Sequence, residues 1–383
     1  MTLTVLAVMG TRPEAVKMAP VIRALQHDEA FDVRVVLTAQ HREMLDQVNR
    51  QFGIVGDIDL DIMRPRQTLT EITVRALEGL SRVYEAEKPD IVLAQGDTTT
   101  VFAAAMAAFY AKVPFGHVEA GLRTGNKYSP YPEEMNRRLA GVLTDLHFAP
   151  TAEAKANLLA EQVASDKIFV TGNTVIDALL WAAEHGKPSQ SLAWVNELTG
   201  PLVLVTAHRR ENWGEPLHQA CLGMHDLLER VPEAHLIYAV HRNPVVRETA
   251  QSVLGEHPRA FLIEPPDYID FVQLMKRADL ILTDSGGIQE EAPSMGVPVL
   301  VLRDTTERPE AVGAGVAKLI GCHRVPIATE GARLLTDPEA RAPMTSTANP
   351  YGDGHASERI VGILRAHFRL TTTMPADFVY TKN

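Results

Sequence analysis

Short apolar runs and amphipathic stretches alternate along the whole chain. Thr2–Val8 is apolar, a polar turn follows, and a helical pattern covers Pro13 to Leu25. Val33–Thr38 is the next apolar run, and a helical pattern lies near Glu43–Phe52. Further runs of strand length are Ile91–Ala94, Phe115–Val118, Leu146–Ala149, Ile168–Val170, Leu202–Thr206, Leu236–Val240, Phe261–Ile263, Leu280–Thr283 and Val297–Val301, most of them separated by helical patterns. Strands apolar at every position are covered on both faces, and intervening helices join them as parallel sheets with right-handed crossovers. The expected fold class is α/β. Ser189 to Pro201 separates two such stretches, and 383 residues at about 150 per domain suit two domains. The pattern predicts two Rossmann-like doubly wound domains facing a central cleft, 1–172 and 173–355, followed by a last helix at about 356–370. In such folds ligands sit beyond the carboxyl ends of strands.

Composition narrows the function classes. Hydrophobic residues make up 45% and charged residues 22%, globular values that exclude a disordered or collagen-like chain. The formal net charge of −11 disfavours general binding to nucleic acid or anionic membrane, so any anion must meet a local cationic site. Cys221 and Cys322 are too few for a disulfide scaffold or a four-cysteine zinc site, which suits reducing cytoplasm. Met1–Gly10 lacks a basic n-region and a small-residue cleavage site, and the Ala-rich Val101–Ala111 is too short to span a bilayer. The expectation is a soluble protein.

The strand ends are therefore where chemistry is sought. The first ends in Gly10-Thr11-Arg12-Pro13-Glu14, with Lys17 a turn later; two cations beside a helix N-terminus suit an anion, an ordinary surface loop being the alternative. The run at Ile91 leads to Gly96-Asp97-Thr98, where Asp97 reads equally as a helix cap. Glu119 follows the run at Phe115, and Glu133 opens a helical pattern in which Arg137 is its simple i,i+4 partner. Three carboxylates at three loops of one half exceed what capping needs and suit acid–base work, provided their environments separate their pKa values. In the second half, Leu202–Thr206 leads to Ala207-His208-Arg209-Arg210, and another strand to His241-Arg242. Leu280–Thr283 leads to Asp284-Ser285-Gly286-Gly287, where Ser285 caps a helix, the glycines admit a diphosphate, and Glu290 or Glu291 reaches ribose hydroxyls. Arg308 follows the next strand. There is no GxGxxG after the first strand, no GxxxxGK[ST], no GxSxG and no HExxH, so a nicotinamide cofactor, a P-loop, a hydrolase nucleophile elbow and metal ligation are all disfavoured.

At these loops the sequence resembles the bacterial non-hydrolysing UDP-N-acetylglucosamine 2-epimerases. The motifs are GTRPEAVKMAP from Gly10, AQHREMLDQV from Ala39, QGDTTT from Gln95, GHVEAGLRTG from Gly116, YPEEMNR from Tyr131, TGNTVIDAL from Thr171, TAHRREN from Thr206, LTDSGGIQEEAPSMGVPVL from Leu282, RDTTERPEAV from Arg303 and NPYGDG from Asn349. They follow the family order over nearly the whole chain. The resemblance implies a glycosyltransferase-B fold whose C-terminal helix packs back on the first domain, a cytoplasmic homodimer, no cofactor, no metal, and interconversion of UDP-GlcNAc and UDP-ManNAc for cell-surface polysaccharide. By motif it implies Asp97, Glu119 and Glu133 as acid–base groups and His208 as support for UDP departure. Arg12, Lys17 and Arg137 would line sugar and phosphate, and Arg209, Phe271, Ser285, Gly286, Gly287, Glu291 and Arg308 would hold UDP. Positions matching an allosteric UDP-GlcNAc site of some members are Gln40, His41, Glu43, Arg66, Arg210 and His241; Glu43 stands where regulated members can carry Gln, and a carboxylate opposes a diphosphate sugar. Pro266 and Ala207 also depart from residues found in some members. The alternatives are a hydrolysing 2-epimerase, a glycosyltransferase that needs an acceptor, and a non-catalytic nucleotide-sugar sensor.

Overall fold

The computed structural model describes residues 2–38 and 42–381. They fall into two compact units, the first comprising 2–178 with 351–379 and the second 179–350 with 380–381.

The first unit contains β1 (Leu3–Met9), α1 (Arg12–Gln26), β2 (Phe31–Leu37), α2 (Arg42–Phe52), β3 (Ile58–Asp59), α3 (Leu69–Glu87) and β4 (Ile91–Gln95). It continues through α4 (Thr99–Ala111), β5 (Phe115–Val118), α5 (Glu133–Leu143), β6 (Leu146–Ala149), α6 (Ala152–Ala160), β7 (Ile168–Val170) and the start of α7 (Thr174–His185). Its seven parallel strands run in the order β3-β2-β1-β4-β5-β6-β7. Val5 to Met9 of β1 and Ile91 to Ala94 of β4 are wholly buried, because helices cover both faces of the central strands.

The second unit contains β8 (Leu202–Thr206), α8 (Glu215–Arg230), β9 (His235–Ala239), α9 (Pro244–Leu254), β10 (Ala260–Ile263), α10 (Tyr268–Arg277) and β11 (Leu280–Thr283). Then come α11 (Gly286–Glu291), β12 (Val299–Val301), α12 (Pro309–Ala314), β13 (Ala317–Leu319), α13 (Arg324–Thr336) and α14 (Pro338–Thr345). Its six parallel strands are ordered β10-β9-β8-β11-β12-β13. Each sheet thus grows outward from its first strand in one direction and then reverses, the doubly wound Rossmann-like arrangement. The reversal places a crevice at the carboxyl ends of β1 and β4, and another at those of β8 and β11. Val8 is level with Ala94, and Thr206 with Thr283, so the loops that follow leave their sheets side by side.

The last helix, α15 (Ala356–His367), belongs to the first unit. Asp177 of α7 accepts the N–H groups of Ala356 (3.2 Å) and Ser357 (2.7 Å) and the Ser357 hydroxyl (2.6 Å), so it supplies the cap that α15 lacks in its own sequence. Arg365 then pairs with Asp28 at 2.7 Å. Beyond α15 the Phe378 N–H donates to Val170 C=O at 2.7 Å, and Asp377 accepts the Val170 N–H at 3.0 Å. The tail thereby covers the open edge of β7, which would otherwise present unpaired backbone groups. No described helix is long and apolar enough to cross a membrane.

Candidate active site

The loops after β1 and β4 adjoin at the first reversal. Gly10 leaves β1 where an added Cβ would lie 2.1 Å from Thr38 Oγ1 and 2.5 Å from Thr100 Oγ1, so only glycine fits. Buried Glu14, one turn into α1, accepts the N–H groups of Gly10 and Thr11, both at 2.7 Å, on one oxygen and the Thr98 hydroxyl on the other. One carboxylate therefore ties both loops together. Its burial pushes its pKa up, against the hydrogen bonds from Thr98, Gly10 and Thr11. Thr98, not Asp97, caps α4, its hydroxyl accepting the Val101 N–H at 3.4 Å. The Asp97 carboxylate is left to meet Arg137 at 2.6 Å. Arg137 also lies 3.7 Å from Glu134, so it serves Asp97 and Glu134 rather than acting as a simple partner of Glu133. Burial raises the Asp97 pKa; Arg137 opposes this, Glu119 adds to it, Lys17 opposes it and Glu133 adds.

Glu119 follows β5 with φ of +65°, a left-handed conformation that costs a non-glycine residue about 1–3 kcal/mol. Lys17 Nζ (2.5 Å), Asn173 Nδ2 (3.0 Å) and Gln95 Nε2 all donate to its carboxylate. Beneath this group lies His117, whose Nε2 contacts the Gly96 carbonyl at 2.7 Å. Burial pushes its pKa down to about 4, so it is a neutral donor that pins the loop carrying Asp97. Glu133 is the half-exposed first residue of α5, and Arg12 the half-buried first residue of α1. The first unit thus gathers Lys17, Asp97, Glu119, Glu133 and Arg137 into one cluster of alternating charge.

The second reversal is organised by Asp284, fully buried directly after β11. Its Oδ2 accepts the N–H groups of His208 (2.9 Å) and Arg209 (2.8 Å) and the Asn212 side-chain amide (3.1 Å). Its Oδ1 lies 3.5 Å from His208 Nδ1. The His208 pKa is pushed down by burial; Asp284 opposes this, while His241 and Arg209 reinforce it. The two imidazoles stack with centroids 5.6 Å apart. A Cβ on Gly286 would lie within 3.9 Å of Glu307, Arg209 and Arg308, and one on Gly287 within 3.9 Å of Glu291 and Ser285. These residues therefore surround the same two glycines. Arg209 pairs with Glu307 at 2.8 Å, and Arg308 pairs with Glu290. A half-buried Phe271 stands on α10.

The profile of the family described as UDP-N-acetylglucosamine 2-epimerase matches residues 23–365. The chain belongs to this family. It is 53% identical to the UDP-N-acetylglucosamine 2-epimerase of Yersinia pestis, over 95% of this chain and 98% of that one. A crystal structure of a "putative UDP-N-acetylglucosamine 2-epimerase" from Listeria monocytogenes superposes with a TM-score of 0.94 at 51% identity, covering 99% of this chain and 100% of that one. The Neisseria meningitidis UDP-GlcNAc 2-epimerase, solved bound to UDP-GlcNAc, superposes with a TM-score of 0.84 at 51% identity, over 94% and 99% of the two chains. Two Rossmann-like units in one chain of this family make the fold glycosyltransferase-B in type.

Several sequence expectations change at this family member's loops. Ser285 stands at the N-cap position of α11 with extended backbone, but its side chain makes no cap bond; its N–H donates to the Thr283 hydroxyl at 3.0 Å. Of the two glutamates on α11, Glu290 is engaged by Arg308 and only Glu291 lies at Gly287. Among the positions matched to an allosteric site, Gln40, His41 and the Glu43 side chain lie outside the described residues. Arg66 is exposed in the first unit; in the second, Arg210 lies 5.9 Å over the Trp213 ring and His241 is exposed against His208. Sequence reasoning passed over Glu14, Gln95, Asn173, Asp284 and Glu307. Glu14 had a readable signal, the Thr-x-x-Glu spacing of a capping box. Gln95, Asn173 and Asp284 act through partners distant in sequence, and Glu307 through Arg209 as well as through Arg303 four residues away.

Proposed function

We propose that the chain interconverts UDP-GlcNAc and UDP-ManNAc by inversion at C2 without net hydrolysis. The observation that carries this reading is the carboxylate cluster of the first unit, where Asp97 is half-buried against Arg137 and Glu119 is fixed by Lys17, in a chain of this family.

The C2 proton of the sugar is not α to a carbonyl, because the acetyl carbonyl lies beyond nitrogen. Breaking the C1–O bond makes C1 oxocarbenium-like and acidifies C2–H. A carboxylate takes that proton, the C–H electron pair forms the C1=C2 bond, and the C1–O pair leaves with UDP, giving 2-acetamidoglucal by anti elimination. Syn re-addition of UDP at C1, with a proton delivered to the other face of C2, gives the epimer. Two acid–base groups of unlike environment suit the two faces: Asp97, whose burial holds its pKa up, and Glu119 or Glu133.

The leaving diphosphate needs positive charge and donors fixed in advance. Arg209, Arg308 and the backbone at Gly286 and Gly287 supply them, with Ser285, Glu291 and Phe271 completing the UDP site. With His208 Nδ1 turned to Asp284, Nε2 is the nitrogen left to meet the departing phosphate. Arg12, Lys17 and Arg137 face the sugar and its phosphate. The reading extends to a homodimer working in the cytoplasm and supplying a cell-surface polysaccharide; the two buried free thiols, Cys221 and Cys322, suit a reducing compartment.

The test is proton NMR of the purified protein with UDP-GlcNAc in D2O, with no nicotinamide or metal added. UDP-ManNAc with deuterium at C2 of both epimers is expected. Accumulating free ManNAc would make the chain a hydrolysing epimerase, and an unchanged spectrum, repeated with excess UDP-GlcNAc, would remove the reading.

A further inference from the structure

Two side-chain amides converge on one carboxylate in the first unit. Gln95 is the last residue of β4 and 3% exposed, and Asn173 precedes α7 and is 2% exposed. Gln95 Nε2 donates to Glu119 Oε2, while Asn173 Nδ2 donates to Oε1 at 3.0 Å. The direction of the Asn173 amide is fixed by its other bonds. Its Oδ1 accepts the Val175 N–H at 3.1 Å at the start of α7, so Nδ2 must face Glu119. Its backbone N–H donates to Tyr351 C=O at 2.7 Å, which anchors it to the segment where the chain re-enters the first unit.

Neutral amides do what a second cation would not. They satisfy the oxygens of a buried carboxylate and fix its rotamer without adding charge to that of Lys17. Such fixing matters here because Glu119 sits at a left-handed φ, which persists only where neighbours over-determine it.

We propose that Gln95 and Asn173 are positioning residues that aim the Glu119 carboxylate at the sugar. The inference rests on the epimerase reading above. Among the described residues, the charged and titratable groups around Glu119 and its neighbours Asp97 and His117 include Lys17 of α1, Arg123 in the loop after β5, and Glu133 and Arg137 of α5.

Asn173→Asp is the informative change, since it keeps the size and the cap on α7 but replaces a donor by a carboxylate oxygen facing Glu119. Gln95→Glu does the same from β4. Aiming predicts a kcat at least about 10-fold lower with KM altered much less, because a misdirected acid–base group forfeits part of its catalytic factor. It also predicts that the acidic limb of the kcat–pH profile moves to higher pH, since adjacent carboxylates resist joint ionisation.

UDP affinity, measured by calorimetry, should stay within about threefold and would establish that each variant is folded. Wild type is assayed first, in D2O. If wild type does not epimerise, the reaction reading and this inference fall together, before any variant is compared. If wild type epimerises but both folded variants keep kcat within about twofold and an unmoved acidic limb, the positioning role alone is overturned. Should one variant fail to bind UDP, the other decides.

Discussion

Asp97 stands under opposed influences: burial and the charges of Glu119 and Glu133 favour its acid form, and Arg137 and Lys17 its carboxylate. That balance suits a group that must hold a proton in one half-reaction and release it in the other. Asp97→Asn keeps the shape and removes the exchange. It should lower kcat by at least about 100-fold, the lower range for a general acid or base. Steady-state kinetics in both directions would check this, and a near-normal rate would take Asp97 out of the chemistry. Asp284 is a different case, because it never needs to meet substrate. Its Oδ2 gathers two backbone N–H groups and an amide while Oδ1 faces His208. In Asp284→Asn one oxygen becomes an NH2 group turned toward donors, leaving part of this buried set unsatisfied. A loss of about 1–3 kcal/mol is expected by urea denaturation, with UDP binding weakened several-fold by calorimetry.

The element that closes the first unit, α15, depends on a cap brought from α7. Asp177→Ala would orphan two helix N–H groups and a serine hydroxyl, and should cost about 2 kcal/mol in chemical denaturation. The loop after β12 makes a pH prediction. Burial alone would raise the Glu307 carboxyl, but its own backbone N–H, Arg303 and Arg209 pull it down to about 2, from an ordinary 4.5. A carboxyl depressed on folding stabilises the native state above its unfolded pKa and stops doing so as pH falls through the folded one. The Tm difference between wild type and Glu307→Gln should therefore be constant above about pH 5 and shrink as pH falls from 4.5 toward 2, seen in thermal melts. Much of this level of structure was legible in the sequence. β1, β4, β8 and β11 announce themselves as apolar runs, and the polar loops that follow hold the candidate chemistry. β3 and β13 gave no such run, since one is two residues long and the other carries an exposed Lys318 at a sheet edge. Nor did spacing reveal that Arg137 turns to Asp97, 40 positions away, or that Thr98 takes the cap and leaves the Asp97 carboxylate to that arginine.

Across the whole chain the charge of −11 repels a nucleotide diphosphate, so binding depends on local cations, and these differ between the units. In the first, Lys17 and Arg137 are engaged by carboxylates of the proposed chemistry. In the second, Arg209 and Arg308 are also paired, with Glu307 and Glu290, but they border two glycines whose backbone can approach phosphate closely. If the labour is divided this way, binding and turnover must separate in variants. UDP at 100 times its Kd should stabilise the wild type by about 2.7 kcal/mol, a rise of a few degrees in Tm. Asp97→Asn should keep that shift while losing turnover, because the lost carboxylate lies on the sugar side. Arg308→Gln should lose most of the shift, although it also releases Glu290, so the comparison is made against its own melt without UDP. Loss of the UDP shift in both variants would mean that the first unit also holds the nucleotide, and the assignment of UDP to the loops after β8 and β11 would fall.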